Sequence, residues 1–134
     1  MSESGIMMTM AQEIADAVSE YASSEVSLAP SFDLGEHETA RIFVVPSGME
    51  VTAEGRQWPC PVYLYDVGLV KWLSGYDDLT ATAETMESIV TELCGKTLTS
   101  GAVTAVEVTL LYSPEAYSRK KQFFGTARVT ARAF

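Results

Sequence analysis

The sequence predicts an α+β fold, a two-layer sandwich in which two helices pack on one face of a mostly antiparallel sheet. Three observations carry that expectation. An amphipathic helix from about Asp78 to Leu93 stops at Gly95, two alternating strands follow it, and a second amphipathic helix opens the chain ahead of several strand-like segments. Helix, strands, helix, hairpin is an order in which helices collect on one side of an antiparallel sheet. At 134 residues, 47% of them hydrophobic, the chain fits a single domain spanning 1–134. A chain of that length buries about two thirds of the surface its unfolded form exposes.

Residues 1–8 are small, polar and methionine-containing, and read as a flexible lead-in. Met10, Ile14, Ala17, Val18 and Tyr21 then recur at helical spacing on one stripe, while Gln12, Glu13, Asp16 and Glu20 face away. Thr9 followed by Gln12 matches a capping box, and Ser23-Ser24 marks the expected end of this helix. Val26 to Leu34 alternates imperfectly around Pro30, which limits it to an edge strand or an irregular extended segment. Thr39 to Val45 is β-branched and aromatic, and Pro46-Ser47-Gly48 predicts a turn into a short strand, Met49 to Thr52. These two form the expected first hairpin.

Trp58-Pro59-Cys60-Pro61 reads as an extended edge or unpaired stretch, because proline donates no ladder hydrogen bond. Val62 to Val67 is a strand with Val62 and Leu64 on one face and Tyr63, Tyr65 and Val67 on the other. Gly68 to Tyr76 leads into the second helix, whose predicted stripe is Leu79, Ala83, Met86, Val90 and Leu93. Asp77 and Asp78 are its cap candidates, and Gly95 suits the left-handed position after its end. Val106, Val108, Leu110 and Tyr112 alternate along the next strand. In the last strand Ala127, Val129, Ala131 and Ala133 give a small inner face, and Thr126, Arg128, Thr130 and Arg132 a polar outer one.

A net charge of −9 argues against nucleic-acid binding, which requires a basic surface to neutralise phosphates. The longest apolar run, Ile42-Phe43-Val44-Val45, is far short of the roughly 20 residues that cross a bilayer. No basic stretch precedes an apolar one as in a signal peptide, so the sequence predicts a protein with no membrane contact. Cys60 and Cys94 fit no metal spacing and read as reduced thiols, and His37 has no second histidine to complete a metal or catalytic site. Asp77-Asp78 reads as helix capping, and Glu84 with Glu87 as the wet face of a helix. No phosphate-binding glycine pattern is present. The expectation is a protein without catalytic residues, cofactor or metal.

Binding surfaces are the better candidates. Arg119-Lys120-Lys121 is a basic run in an acidic chain; against a nucleic-acid contact, the overall charge favours a solvated loop or a salt-bridging partner for an acidic neighbour, as in one half of a complementary interface. Arg128 and Arg132 share the outer face of the last strand, within reach of Glu107 on the neighbouring strand or of another subunit. Trp58 and Trp72 flank the central strand, either as packing aromatics or as interface anchors.

The chain resembles the tail terminator (tail completion) proteins of long-tailed bacteriophages. The residues that carry the likeness are Phe43-Val44-Val45-Pro46, the loop residue Arg56, the strand Val62-Tyr63-Leu64-Tyr65-Asp66-Val67-Gly68 leading to Lys71, the helix Leu79 to Leu93, and the closing strand pair. The likeness extends over nearly the whole chain and rests on order and texture rather than on one motif. It implies a structural virion protein of the tail or neck, assembled in the host cytoplasm. Its subunits would form a hexameric ring that caps the tail tube and meets the head-completion or stopper protein, with DNA passing through the lumen unbound. Two other readings stay open: another neck protein, such as a head-completion or minor capsid protein, or a small ligand-binding or hydrolytic α+β module built on His37 and Asp77-Asp78.

Overall fold

The strand expected at Val62 to Val67 extends further in both directions than its composition predicts. The computed structural model describes residues 5–27, 40–52, 60–110 and 122–133. In it this strand, β3, runs from Cys60 to Trp72. Around it stand α1 (Ile6–Ala17), β1 (Ser23–Val26), β2 (Arg41–Thr52), α2 (Tyr76–Leu93), β4 (Gly101–Leu110) and β5 (Gln122–Ala133). The five strands make one sheet in the order β1-β2-β3-β5-β4. Every pairing is antiparallel except β1 with β2. This is the α+β architecture that the sequence predicts, and no helix among the described residues is long and apolar enough to cross a membrane.

Several boundaries differ from expectation, each for a local reason. The first helix begins at Ile6, inside the stretch assigned to the lead-in. Its N-cap is Gly5, with no side-chain cap bond, so the Thr9–Gln12 capping box is not made. The Gly5 carbonyl instead accepts from the amides of Met8 and Thr9 at 3.1 and 3.2 Å. Gln12 donates to Asp16, one turn on, at 3.0 Å. Ser23 and Ser24 lie in β1 rather than at the helix end, and Ser24 ties that strand back to α1 by donating to the Ala15 carbonyl at 2.6 Å.

Pro46-Ser47-Gly48 is not a turn. β2 passes straight through it with a register shift between Pro46 and Gly48, so the extra residue is taken up as a bulge in a continuous strand. The expected hairpin of two short strands is therefore one long strand, paired with β3 from Arg41↔Val70 to Thr52↔Cys60. Pro61 lies in that ladder opposite Val51, near the start of β3, where a missing donor is tolerated best. Gly68 to Trp72, expected as a lead into the helix, continues β3 and pairs with Thr126 to Gln122.

Both helices pack on one face. Tyr63, Tyr65, Val67 and Leu69 of β3 point toward them, with Ile42 and Val44 from β2 and Ala127, Val129 and Ala131 from β5. Met10 and Ile14 of the first helix, Val18 at its C-cap, and Met86, Ile89 and Leu93 of the second close this core. The buried stripe of α2 also includes Thr82, so Ala83 and Val90, expected in the core, lie half-buried on its flank. Tyr65 is fully buried and donates to the Met7 carbonyl at 2.7 Å; burial pushes its phenol well above the ordinary range. Glu13 holds the turn before β4, accepting from the amides of Thr99 and Ser100 at 2.9 and 3.2 Å. The second helix ends as the sequence indicates, with Gly95 at φ 74, a left-handed position that glycine occupies without strain.

Gly101, where β4 begins, is a close-approach site. A β-carbon there would collide with the Arg132 carbonyl and lie 2.7 Å from the Met10 sulfur. Backbone cannot step aside as a side chain can, so Gly101→Ala is expected to destabilise the fold by about 1–3 kcal/mol. A lowered denaturation midpoint at unchanged m-value is the readout.

Candidate assembly surfaces

The sheet face turned away from the helices divides into two regions. At one end, Phe43, Val45 and Val70 are buried and Phe124 packs partly buried against them. The sequence signal for this second apolar cluster is the run Ile42 to Val45, which has no polar residue to give to a solvated face. Across the middle of the sheet the same face is charged. Register sets Asp66, Arg128 and Glu107 side by side on three neighbouring strands.

Arg128 and Arg132 therefore share the outer face, as their spacing predicts, and both are exposed. The bridge Arg128 makes is to Asp66, Nε to Oδ1 at 3.6 Å, while Glu107, the partner expected from sequence, sits directly opposite on its other side. An arginine between two carboxylates at half exposure is stabilised only weakly, by about 0–1 kcal/mol. Arg132 has a different setting: its neighbours across the strands are Val62 and Ala102. Trp72 closes β3 on this outer face and is 40% exposed. Arg119, Lys120, Lys121, Trp58, Arg56 and His37 lie outside the described residues.

On the helix side, α2 carries Asp77, Asp78, Glu84, Glu87 and Glu92 and no basic residue. Asp78 is bridged by Lys71 at 2.5 Å and Glu92 by Lys96 at 3.5 Å. Glu84 and Glu87 are exposed. They border an open groove of about 330 Å³ between the flank of this helix and β4, floored by Ala83, Val90 and Val108. The groove is not apparent in the sequence, where helical spacing predicts Ala83 and Val90 as core. The signal lay in the neighbours Thr82 and Ile89, which are buried in their place. Val108, on the edge strand, is 42% exposed.

The β4 edge itself is interrupted. Register shifts between Val103 and Ala105 and between Val108 and Leu110 mark two irregularities in its pairing, with Thr104 and Thr109 donating from their hydroxyls to β5 carbonyls at 3.2 Å each. Bulges of this kind blunt an edge against strand addition. Among the described residues no three metal-ligating side chains gather, and Cys94 is a free, exposed thiol.

No family model and no curated protein matches the sequence. In fold the chain is similar to one from the solved structure described as the virion of native gene transfer agent (GTA) particle, with a TM-score of 0.56 at 10% identity over 98% of each chain. The fold is shared with a virion chain. At that identity the likeness concerns the fold alone, and it spans both helices and the whole sheet.

The Asp77-Asp78 pair is resolved by position. Asp78 reaches back from the first turn of its helix to accept from the Ser74 amide at 3.0 Å and from its hydroxyl at 3.3 Å. Its hydrogen bond from Lys71 foremost, and those from Ser74, hold the carboxyl below its usual range against the opposing effect of burial. With the folded-state pKa below the unfolded one, this stabilisation is complete above the unfolded value and is lost as pH falls through the folded one. Asp78→Asn is expected to cost on the order of 1 kcal/mol at neutral pH. The gap between variant and wild type in urea denaturation should close at strongly acidic pH; a gap independent of pH would contradict the assignment.

Proposed function

We propose that the chain is a structural subunit of a phage-like virion and, within it, a tail terminator. In this reading it forms a hexameric ring that caps the tail tube and joins it to the head-completion protein of the neck, and its work is assembly rather than catalysis. The observation that carries the reading is the fold likeness to a virion chain over 98% of both chains. Two properties of the chain support it. A net charge of −9 gives a ring whose lumen lacks the favourable phosphate term, so DNA passes without sticking. The exposed outer-face arginines and the acidic flank of α2 supply complementary surfaces for neighbours. Arg119, Lys120, Lys121, Arg128 and Arg132, with Trp58 and Trp72, are the proposed contacts.

The test is solution mass by analytical ultracentrifugation together with negative-stain imaging, alone and with purified tail tubes. Rings of six subunits seated on tube ends are expected. A chain that remains monomeric at every concentration and ignores tube ends would overturn the proposal.

A further inference from the structure

The geometry points to a head-to-tail contact between copies of this chain, in which the acidic groove of one receives the Arg132 patch of the next. This rests on the ring reading and names the two surfaces that build it. The groove has an apolar floor, Ala83, Val90 and Val108, and an acidic rim, Glu84 and Glu87. Neither rim carboxylate has a basic partner among the described residues. The patch is its chemical complement. Arg132 is exposed, with Val62 on β3 and Ala102 on β4 directly beside it; Leu64 and Ala105 flank Thr130 one row along, and Glu50 on β2 lies beyond Val62.

Three observations favour a second copy as the occupant. The first is that one molecule cannot join its own surfaces. Val108 pairs with Ala127, which is in the core beneath the helices, whereas Arg132 alternates to the opposite side of the same sheet. A pair of complementary surfaces on opposite sides of one subunit makes a heterologous contact, which closes into a ring when the rotation allows. The second is charge. Arg128 is already placed between Asp66 and Glu107, while the strand neighbours of Arg132 are apolar, so its charge remains available to a partner. The third concerns the β4 edge. Its two irregularities leave only Ala105 to Val108 in regular register, and bulges of this kind blunt an edge against strand addition, so the faces beside the edge carry the contact.

Charge reversal tests this on the full chain. Arg132→Glu alone, or Glu84→Lys with Glu87→Lys, is expected to weaken self-association about tenfold or more, with far-UV circular dichroism unchanged, and the denaturation midpoint unchanged at concentrations where wild type is dissociated, because all three positions are exposed. Mixing the two variants restores favourable charge at every contact between unlike subunits, and assembly in native mass spectrometry should return. Both variants assembling like wild type, or a mixture that stays dissociated, would overturn the groove–patch contact and leave the ring reading standing. A wild-type chain that never self-associates overturns both.

Discussion

Pairing of β3 on both sides is the interaction on which the rest depends. Its ladder with β2 runs from Cys60 to Val70, and its ladder with β5 from Val62 to Trp72. A strand hydrogen-bonded along nearly all of its length has little freedom to slip, because a one-residue shift would send Tyr65, Val67 and Leu69 to the far face. That register fixes every other placement. It sets Ala127, Val129 and Ala131 beneath the helices, and it aligns Asp66 with Arg128 and Val62 with Arg132 on the outer face.

The small side chains of β5 matter to the second layer. Ala127 and Ala131 share one core with Met86, Ile89 and Leu93 of α2, and interiors of this kind pack large and small side chains to crystal-like density. The connection from this helix to β4 is tight. Leu98 donates to the Gly101 carbonyl at 2.7 Å and Val103 to the Lys96 carbonyl at 2.8 Å, while Glu13 holds the turn from the first helix. The groove beside Val108 lies between α2 and β4, and its acidic rim is carried on a helix rather than on a loop. Surfaces on fixed elements lose little conformational entropy on docking.

Charge is divided within the molecule in a way that net charge alone conceals. Two of the five acidic residues of α2 are bridged internally. The outer sheet face alternates acid and base across Asp66, Arg128 and Glu107. What remains is an acidic flank on one side of the sheet and an arginine among apolar neighbours on the other, which gives a subunit polarity suited to successive joining.

The sequence by itself determined the element types and the faces with strict periodicity. The α+β class, the second helix with its Gly95 stop, and the division of β5 into alanine-rich and arginine-bearing faces all follow from patterns of period 3.6 or 2, which are local. Tertiary structure decided what depends on a partner strand. Pro46-Ser47-Gly48 has the composition of a turn, yet β3 pairs on either side of it and makes it a bulge. Gly68 to Trp72 has no clean alternation of its own and is held as strand by β5. The flank of α2 was legible as helix but not as groove, because whether Ala83 and Val90 are core or surface depends on where β4 lies against them. Local propensity spans about 1 kcal/mol per residue, and the pairing and burial of a central strand exceed it over many residues at once.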